Sequence, residues 1–182
     1  MNRLQQAWVW LRRIGHCRGF GIQSPTDYRF VRYVVNEHWP YYAYRQLGIN
    51  DSPLRRKLGQ LYFRLANFLQ PATVVDLLGY DEYLRAGCRK AVVTHQPFTA
   101  SPSSSAASPS PLILAPASAD IGILLDSCGK ESVLVIEDIG HSPEAWHAVC
   151  SDQRTSVTFD LYYCGIAFFD TQRSKQQHIV NF

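Results

Sequence analysis

Several signatures that would fix a class of function are missing from this 182-residue chain. There is no C-x-x-C pair, and the five cysteines (Cys17, Cys88, Cys128, Cys150 and Cys164) are odd in number and far apart. Spacing of that kind argues against a disulfide framework or a zinc ribbon, and predicts reduced thiols in a cytoplasmic protein. No G-x-S-x-G elbow occurs, so serine nucleophile chemistry has no local support. No apolar run approaches the ~20 residues of a membrane span, and the opening "MNRLQQAWVWLRRIGHCRGF" has no apolar core of the signal-peptide kind. Internal repeats are also absent.

What is present suits one packed domain. The hydrophobic fraction is 46% and the aromatic fraction 13%, enough to bury a core at this length. Charge is divided unevenly: residues 1–64 carry 11 Lys/Arg against 3 acids, and residues 65–182 carry 7 against 12. The two parts attract each other, and docking or a solvated face is the expected use of the basic part. Its cations are spread over several helices, which speaks against a nucleic-acid surface.

Leu4, Ala7, Trp8, Leu11 and Ile14 recur at helical spacing beside Arg3, Arg12 and Arg13. This predicts a short amphipathic basic helix, expected to be a packing arm, with a membrane-surface role as the alternative. "QSPTDYRFVRYVVNEHWP" has Ser24 as N-cap, Pro25 in the first helical position and Asp27 three residues after the cap, with Phe30, Val31, Val34 and Val35 as the buried stripe. A second helix opens at Ser52-Pro53, presents Leu54, Leu58, Leu61, Tyr62, Leu65, Phe68 and Leu69, and stops at Gln70-Pro71. The character changes after Pro71. Short apolar runs at 73–78, 91–95, 112–115 and 132–138 alternate with helical stretches, which predicts a mostly parallel sheet with crossover helices. "SVTFDLYY", "GIAFFD" and "QHIVNF" lie too close together for helical crossovers and are expected to be antiparallel. The division is thus a helical extension over 1–70 and an α/β domain over 71–182, with a Ser/Ala/Pro tract at 99–111 expected to be a flexible loop.

Three stretches carry candidate chemistry. "TVVDLLGYDEYLRAG" (73–87) is an apolar strand ending in Asp76, followed by a turn and a helix. Such junctions bind nucleotide cofactors when glycines let the backbone approach the ligand. Here Gly79 stands alone, so a plain structural turn fits the residues as well. "VLVIEDIGHSPEAW" places Glu137 and Asp138 at a strand end with His141 and His147 downstream, suited to proton transfer or to a solvated strand end. "RGFGIQSP" and "PYYAY" join glycines, Arg18 and three tyrosines, suited to a ligand pocket or to packing of the extension on the core.

Taken together, "GFGIQSPTDYRFV", "PYYAY", "LYFRLANFLQPATVVDLLG", "VLVIEDIGHSPEAW" and "VTFDLYYCGIAFFDTQRSKQQHIVNF" make the chain resemble bacterial class I S-adenosylmethionine-dependent methyltransferases. The resemblance is to the O-methyltransferase-like kind with an N-terminal helical extension. It implies a Rossmann-like sheet with a C-terminal antiparallel hairpin, S-adenosylmethionine at the C-terminal ends of the first strands, and a methyl acceptor held under the extension. By position, Asp76, Gly79, His95 and Asp138 are the cofactor-binding residues; no catalytic residue and no metal ligand is assigned.

This sequence departs from that pattern in the middle. Leu78 and Tyr80 stand where the family has glycines, and His95 and Gln96 where it has the acid that receives the ribose hydroxyls. The next helix and strand are compressed into the Ser/Ala/Pro tract, no acid follows "LILAPAS" before Asp120, and Gly140 replaces a histidine that is displaced to His141. The expectation is a methyltransferase-like pseudoenzyme with a degenerate cofactor site and weak or no activity, or a non-catalytic binding or scaffold module that forms a homodimer.

Overall fold

The computed structural model describes residues 3–95 and 112–182, with side chains from residue 7 onward; the tract at 99–111 lies outside the described residues. The extension supplies α1 (Arg3–Arg12), α2 (Pro25–Phe30), which continues as a π-helical turn over Val31–Val35, and α3 (Pro53–Leu69). The expected caps form. Ser24 Oγ accepts from the Asp27 N–H at 3.4 Å and Ser52 Oγ from the Arg55 N–H at 3.3 Å, each followed by proline at the first helical position, where no amide donor is needed. Gln70, in the left-handed region at φ 47°, ends α3 before Pro71.

Seven strands follow: β1 (Thr73–Asp76), β2 (Val92–Thr94), β3 (Leu112–Pro116), β4 (Val133–Glu137), β5 (Val157–Asp160), β6 (Cys164–Phe168) and β7 (Gln176–Ile179). They form one sheet in the order β2-β1-β3-β4-β6-β5-β7. Helices α4 (Asp81–Gly87), α5 (Ile121–Asp126) and α6 (Pro143–Ser151) lie between strands in the chain, giving the mostly parallel α/β sheet that the alternation predicts. Only β6 runs against its neighbours, inserted between β4 and β5.

One expectation is corrected here: the three closing strands are not all antiparallel, because β7 runs parallel to β5. Residues 169–175 leave the end of β6, step over β5 and start β7 on its far side. Crossing two strand spacings of about 4.8 Å is within easy reach of such a segment.

Alternation along the strands divides the core into two layers. Val74, Leu112, Leu114, Val133, Val135, Phe159 and Ile166 face the extension, packed under Phe30, Val34, Leu61, Tyr62 and Leu65. Val75, Ile113, Ala115, Leu134, Ile136 and Ala167 face α5 and α6, against Leu124, Leu125, Trp146 and Val149. Gly165 belongs to this contact, since a Cβ there would collide with the Trp146 ring. The extension and the sheet therefore share one hydrophobic cluster.

Two further differences concern the extension. Phe68, expected on the buried stripe of α3, is largely exposed, although its ring still meets Phe30 at 5.8 Å. Helix α1 is attached by its polar side rather than by its apolar stripe: Arg13 reaches both carboxylate oxygens of Asp160 at 2.9 and 3.1 Å, and Asn181 Nδ2 donates to the Trp10 carbonyl at 3.1 Å. A fixed bidentate ion pair sets the rotation of a short helix more firmly than partial burial of an apolar edge does. No helix among the described residues is long and apolar enough to cross a membrane.

Candidate functional site

The junction from β1 to α4 is where the resemblance places a cofactor, and three amides of its turn are already in use. Asp76, 1% exposed, turns its carboxylate back over the turn that follows it. Oδ1 accepts from the N–H groups of Leu78 and Gly79, both at 3.0 Å, and Oδ2 accepts from that of Tyr80. Gly79 has φ 76°, so a left-handed residue closes the turn onto the acid. The three turn amides that lead into α4 are thus held by a carboxylate of the chain itself.

Tyr80 fills the space beside this turn. It is 2% exposed, and its ring meets Tyr62 edge-on at 4.8 Å. The Arg55 guanidinium covers its outer face at 4.2 Å and donates to the Gly79 carbonyl at 2.6 Å, closing the turn from the α3 side. At the inner end, the Tyr62 hydroxyl donates to Glu137 Oε1 at 2.8 Å, and the Tyr80 phenol lies near enough to the same carboxylate for each to shift the other's acidity. Burial pushes the Glu137 carboxyl up from its ordinary range, while the two phenols pull it back. Burial likewise raises both phenols, so each keeps its proton.

The remaining sequence-derived residues divide between two places. His95 joins the turn: Nδ1 lies 3.0 Å from the Asp76 carbonyl and Nε2 3.0 Å from Asp81 Oδ2. Asp138 does not face the turn. It occupies the left-handed region at φ 66°, a conformation tolerated by Asp, and pairs through Oδ1 with His141 Nδ1 in an exposed arrangement. Glu137, one residue earlier, is the acid that reaches Tyr62 and Tyr80.

Asp76, Asp81 and His95 bring ligand-type atoms within 4.8 Å of one another, the geometry of a possible cation site. Asp76 is taken up by backbone amides and Asp81 Oδ2 by His95, while Asp81 Oδ1 is buried without a hydrogen-bond partner and has the Arg85 guanidinium at 3.3 Å as its counter-charge. In the aromatic stretch, Tyr41 and Tyr44 pack on Phe63 at 5.1 and 5.3 Å, and only Tyr42 points largely into solvent. Under the extension, a cavity of about 360 Å³ is bordered by Ala7, Trp10, Pro53, Leu54, Lys57, Tyr163 and Phe182. It shares no lining residue with the Asp76 turn. Burial pushes the Cys128 thiol up to about 12 and raises Cys150 and Cys164, so these three are not activated nucleophiles.

Sequence reasoning missed Arg55 and the bonding role of Tyr62, which together seal the site. Tyr62 had one usable signal, a hydroxyl in an otherwise wholly hydrocarbon helix stripe, since a buried hydroxyl requires a partner. Arg55 had none beyond its place in the first turn of α3. Comparison of the chain with protein-family models, curated proteins and solved structures gives no match.

Proposed function

We propose that the chain is a methyltransferase-like α/β protein whose S-adenosylmethionine site is closed, and that it acts as a binding or scaffold module with weak or no methyl transfer. The observation that carries this reading is the double occupation of the β1–α4 junction, by the Asp76 carboxylate on the turn amides and by the Tyr80 ring beside it. The reversal of β6 between β4 and β5 fits the antiparallel C-terminal hairpin implied by the family resemblance.

Magnitudes favour closure. A cofactor accepting from the turn amides would displace the Asp76 carboxylate, which is 1% exposed, and leave that buried acceptor without its donors, at about 1–3 kcal/mol or more for a charged group. It would also expel Tyr80 from beside the half-buried Glu137. Micromolar binding supplies only about 8 kcal/mol in total, and these costs consume most of it.

The test is isothermal titration of the full chain with S-adenosylhomocysteine. No saturable heat is expected at ligand concentrations of about 0.5 mM, well above the micromolar range of a working site. A one-to-one isotherm with micromolar affinity would overturn the reading.

Edge pairing is a second possibility for the scaffold role. Among the described strands β2 pairs with β1 alone, and Val92 on it is 62% exposed, so a second copy could extend the sheet there. Light scattering that gives a strict monomer at high concentration would remove the homodimer.

A further inference from the structure

Helix α1 shows its apolar side to the solvent. Val9 on α1 and Arg13, the residue after its last turn, are half-buried against the protein. Trp8 and Leu11 on α1, and Ile14 at the start of the 3-10 turn Ile14–His16 that follows it, are 58%, 58% and 55% exposed. Of the predicted stripe, Trp8, Leu11 and Ile14 are therefore turned to solvent, while Ala7 borders the cavity shared with Tyr163 and Phe182.

Charge identifies what this face suits. The first 26 residues contain four arginines and no acid. Arg13 is neutralised by Asp160 on the inner side. Arg12 lies over the Trp8 ring at 4.5 Å, which sets a guanidinium at the margin of the exposed stripe. A nucleic acid would use the arginines and stack on Trp8, yet it would leave Leu11 and Ile14 in water. An anionic lipid surface satisfies both halves of the pattern: aliphatic and indole side chains enter the boundary between headgroups and acyl chains, while arginines remain with the phosphates.

We propose that α1 is a peripheral membrane-binding helix that lies in the plane of an anionic lipid surface, with Trp8, Leu11 and Ile14 inserted and Arg12 at headgroup level. The Arg13–Asp160 pair then couples the inserted helix to β5 and so orients the α/β domain on the bilayer. This inference does not depend on whether the cofactor site is closed.

The experiment is co-sedimentation of the full chain with vesicles of phosphatidylcholine alone and of phosphatidylcholine with about a third phosphatidylglycerol, at low and at physiological salt. Binding is expected on the anionic vesicles, much less on the neutral ones. The double variant Trp8→Ser/Leu11→Ser changes two exposed side chains, so it keeps its circular dichroism spectrum, and it is expected to bind at least roughly tenfold more weakly. Arg12→Gln is expected to weaken binding to anionic vesicles while leaving the residual binding to neutral ones unchanged. Three results would overturn the proposal: no binding to anionic vesicles, equal binding by wild type and the double variant, or a wild-type dimer that the double variant converts to monomer without vesicle binding in either form. The last would assign the stripe to a second copy of the chain. Retention of labelled RNA that is insensitive to the double variant, with no vesicle binding, would assign the arginines to nucleic acid instead.

Discussion

The hydroxyl of Tyr62 donates to Oε1 of Glu137 across 2.8 Å, tying the middle of α3 to the last residue of β4. Burial raises the Glu137 carboxyl above its ordinary 4.5, so the folded protein holds a proton there more readily than the unfolded chain does. The stability this gives is fully present below the unfolded value and is lost as pH rises through the folded one. Tyr62→Phe removes a donor that favours the charged form. It is expected to cost about 1–2 kcal/mol near neutrality and to extend the loss to higher pH, whereas Glu137→Gln flattens that part of the profile. Denaturant midpoints measured from pH 4.5 to 8 check all three.

Asp76 gives a sharper contrast. If its carboxylate is the structural cap of the β1–α4 turn, Asp76→Ala leaves three amides without their acceptor and is expected to cost about 3 kcal/mol or more. Asp76→Asn keeps one oxygen acceptor and should lose roughly half as much. A residue kept only to receive a ligand would show the opposite, near-neutral or stabilising on removal, so urea unfolding of the two variants separates the roles.

The extent to which all this was legible follows from which forces are local. Ser24-Pro25 and Ser52-Pro53 announce their helices because a cap and a prolyl first turn act within four residues. The apolar runs of β1, β3 and β4 are legible because strands buried on both faces leave little room for polar side chains. The direction of β7 was not legible, since a segment of seven residues can reverse beside β6 or step over β5 with no change in composition. The side to which α1 turns its stripe was also hidden, because periodicity defines a stripe and the distant Arg13–Asp160 pair decides its orientation. At the site, the sequence shows Leu78 and Tyr80 flanking a lone Gly79. Whether Asp76 would face a ligand or its own turn depends on amide geometry, which residue identity does not encode.

Removing the Tyr80 ring tests how much the plug contributes. Tyr80→Ala deletes a side chain that is 2% exposed and is expected to cost about 3–5 kcal/mol. It should not create affinity for S-adenosylhomocysteine, because Asp76 still holds the turn amides. Thermal unfolding with and without the ligand checks both parts, and a ligand-induced rise in Tm for the variant alone would show that Tyr80 is the sole barrier.

The chain ends meet through a second buried acid. Asp27 on α2, 1% exposed, pairs with Arg173 and accepts from His178 Nε2 on β7 at 3.3 Å. Asp27→Ala is expected to cost about 3 kcal/mol, the low end for a buried pair because Arg173 stays partly exposed. Burial, and then the Arg173 charge, lower His178 from 6.5, so it is held neutral. Its contribution is present above the unfolded value and is lost as pH falls through the folded one. His178→Gln should therefore flatten the acid side of the unfolding profile, measured between pH 7 and 5.

The contact between Asp27 and Arg173 spans 146 residues, and that separation sets an order of events during synthesis. At about 5–20 residues per second the first helices leave the ribosome roughly 7–30 seconds before their last partner strand is made. Throughout that interval Arg13 has no Asp160 and α2 has no β7, while the exposed stripe of α1 is already complete. Helix α1 is thus made long before Asp160 can hold it, and for that time its apolar face is open to whatever surface the nascent chain meets.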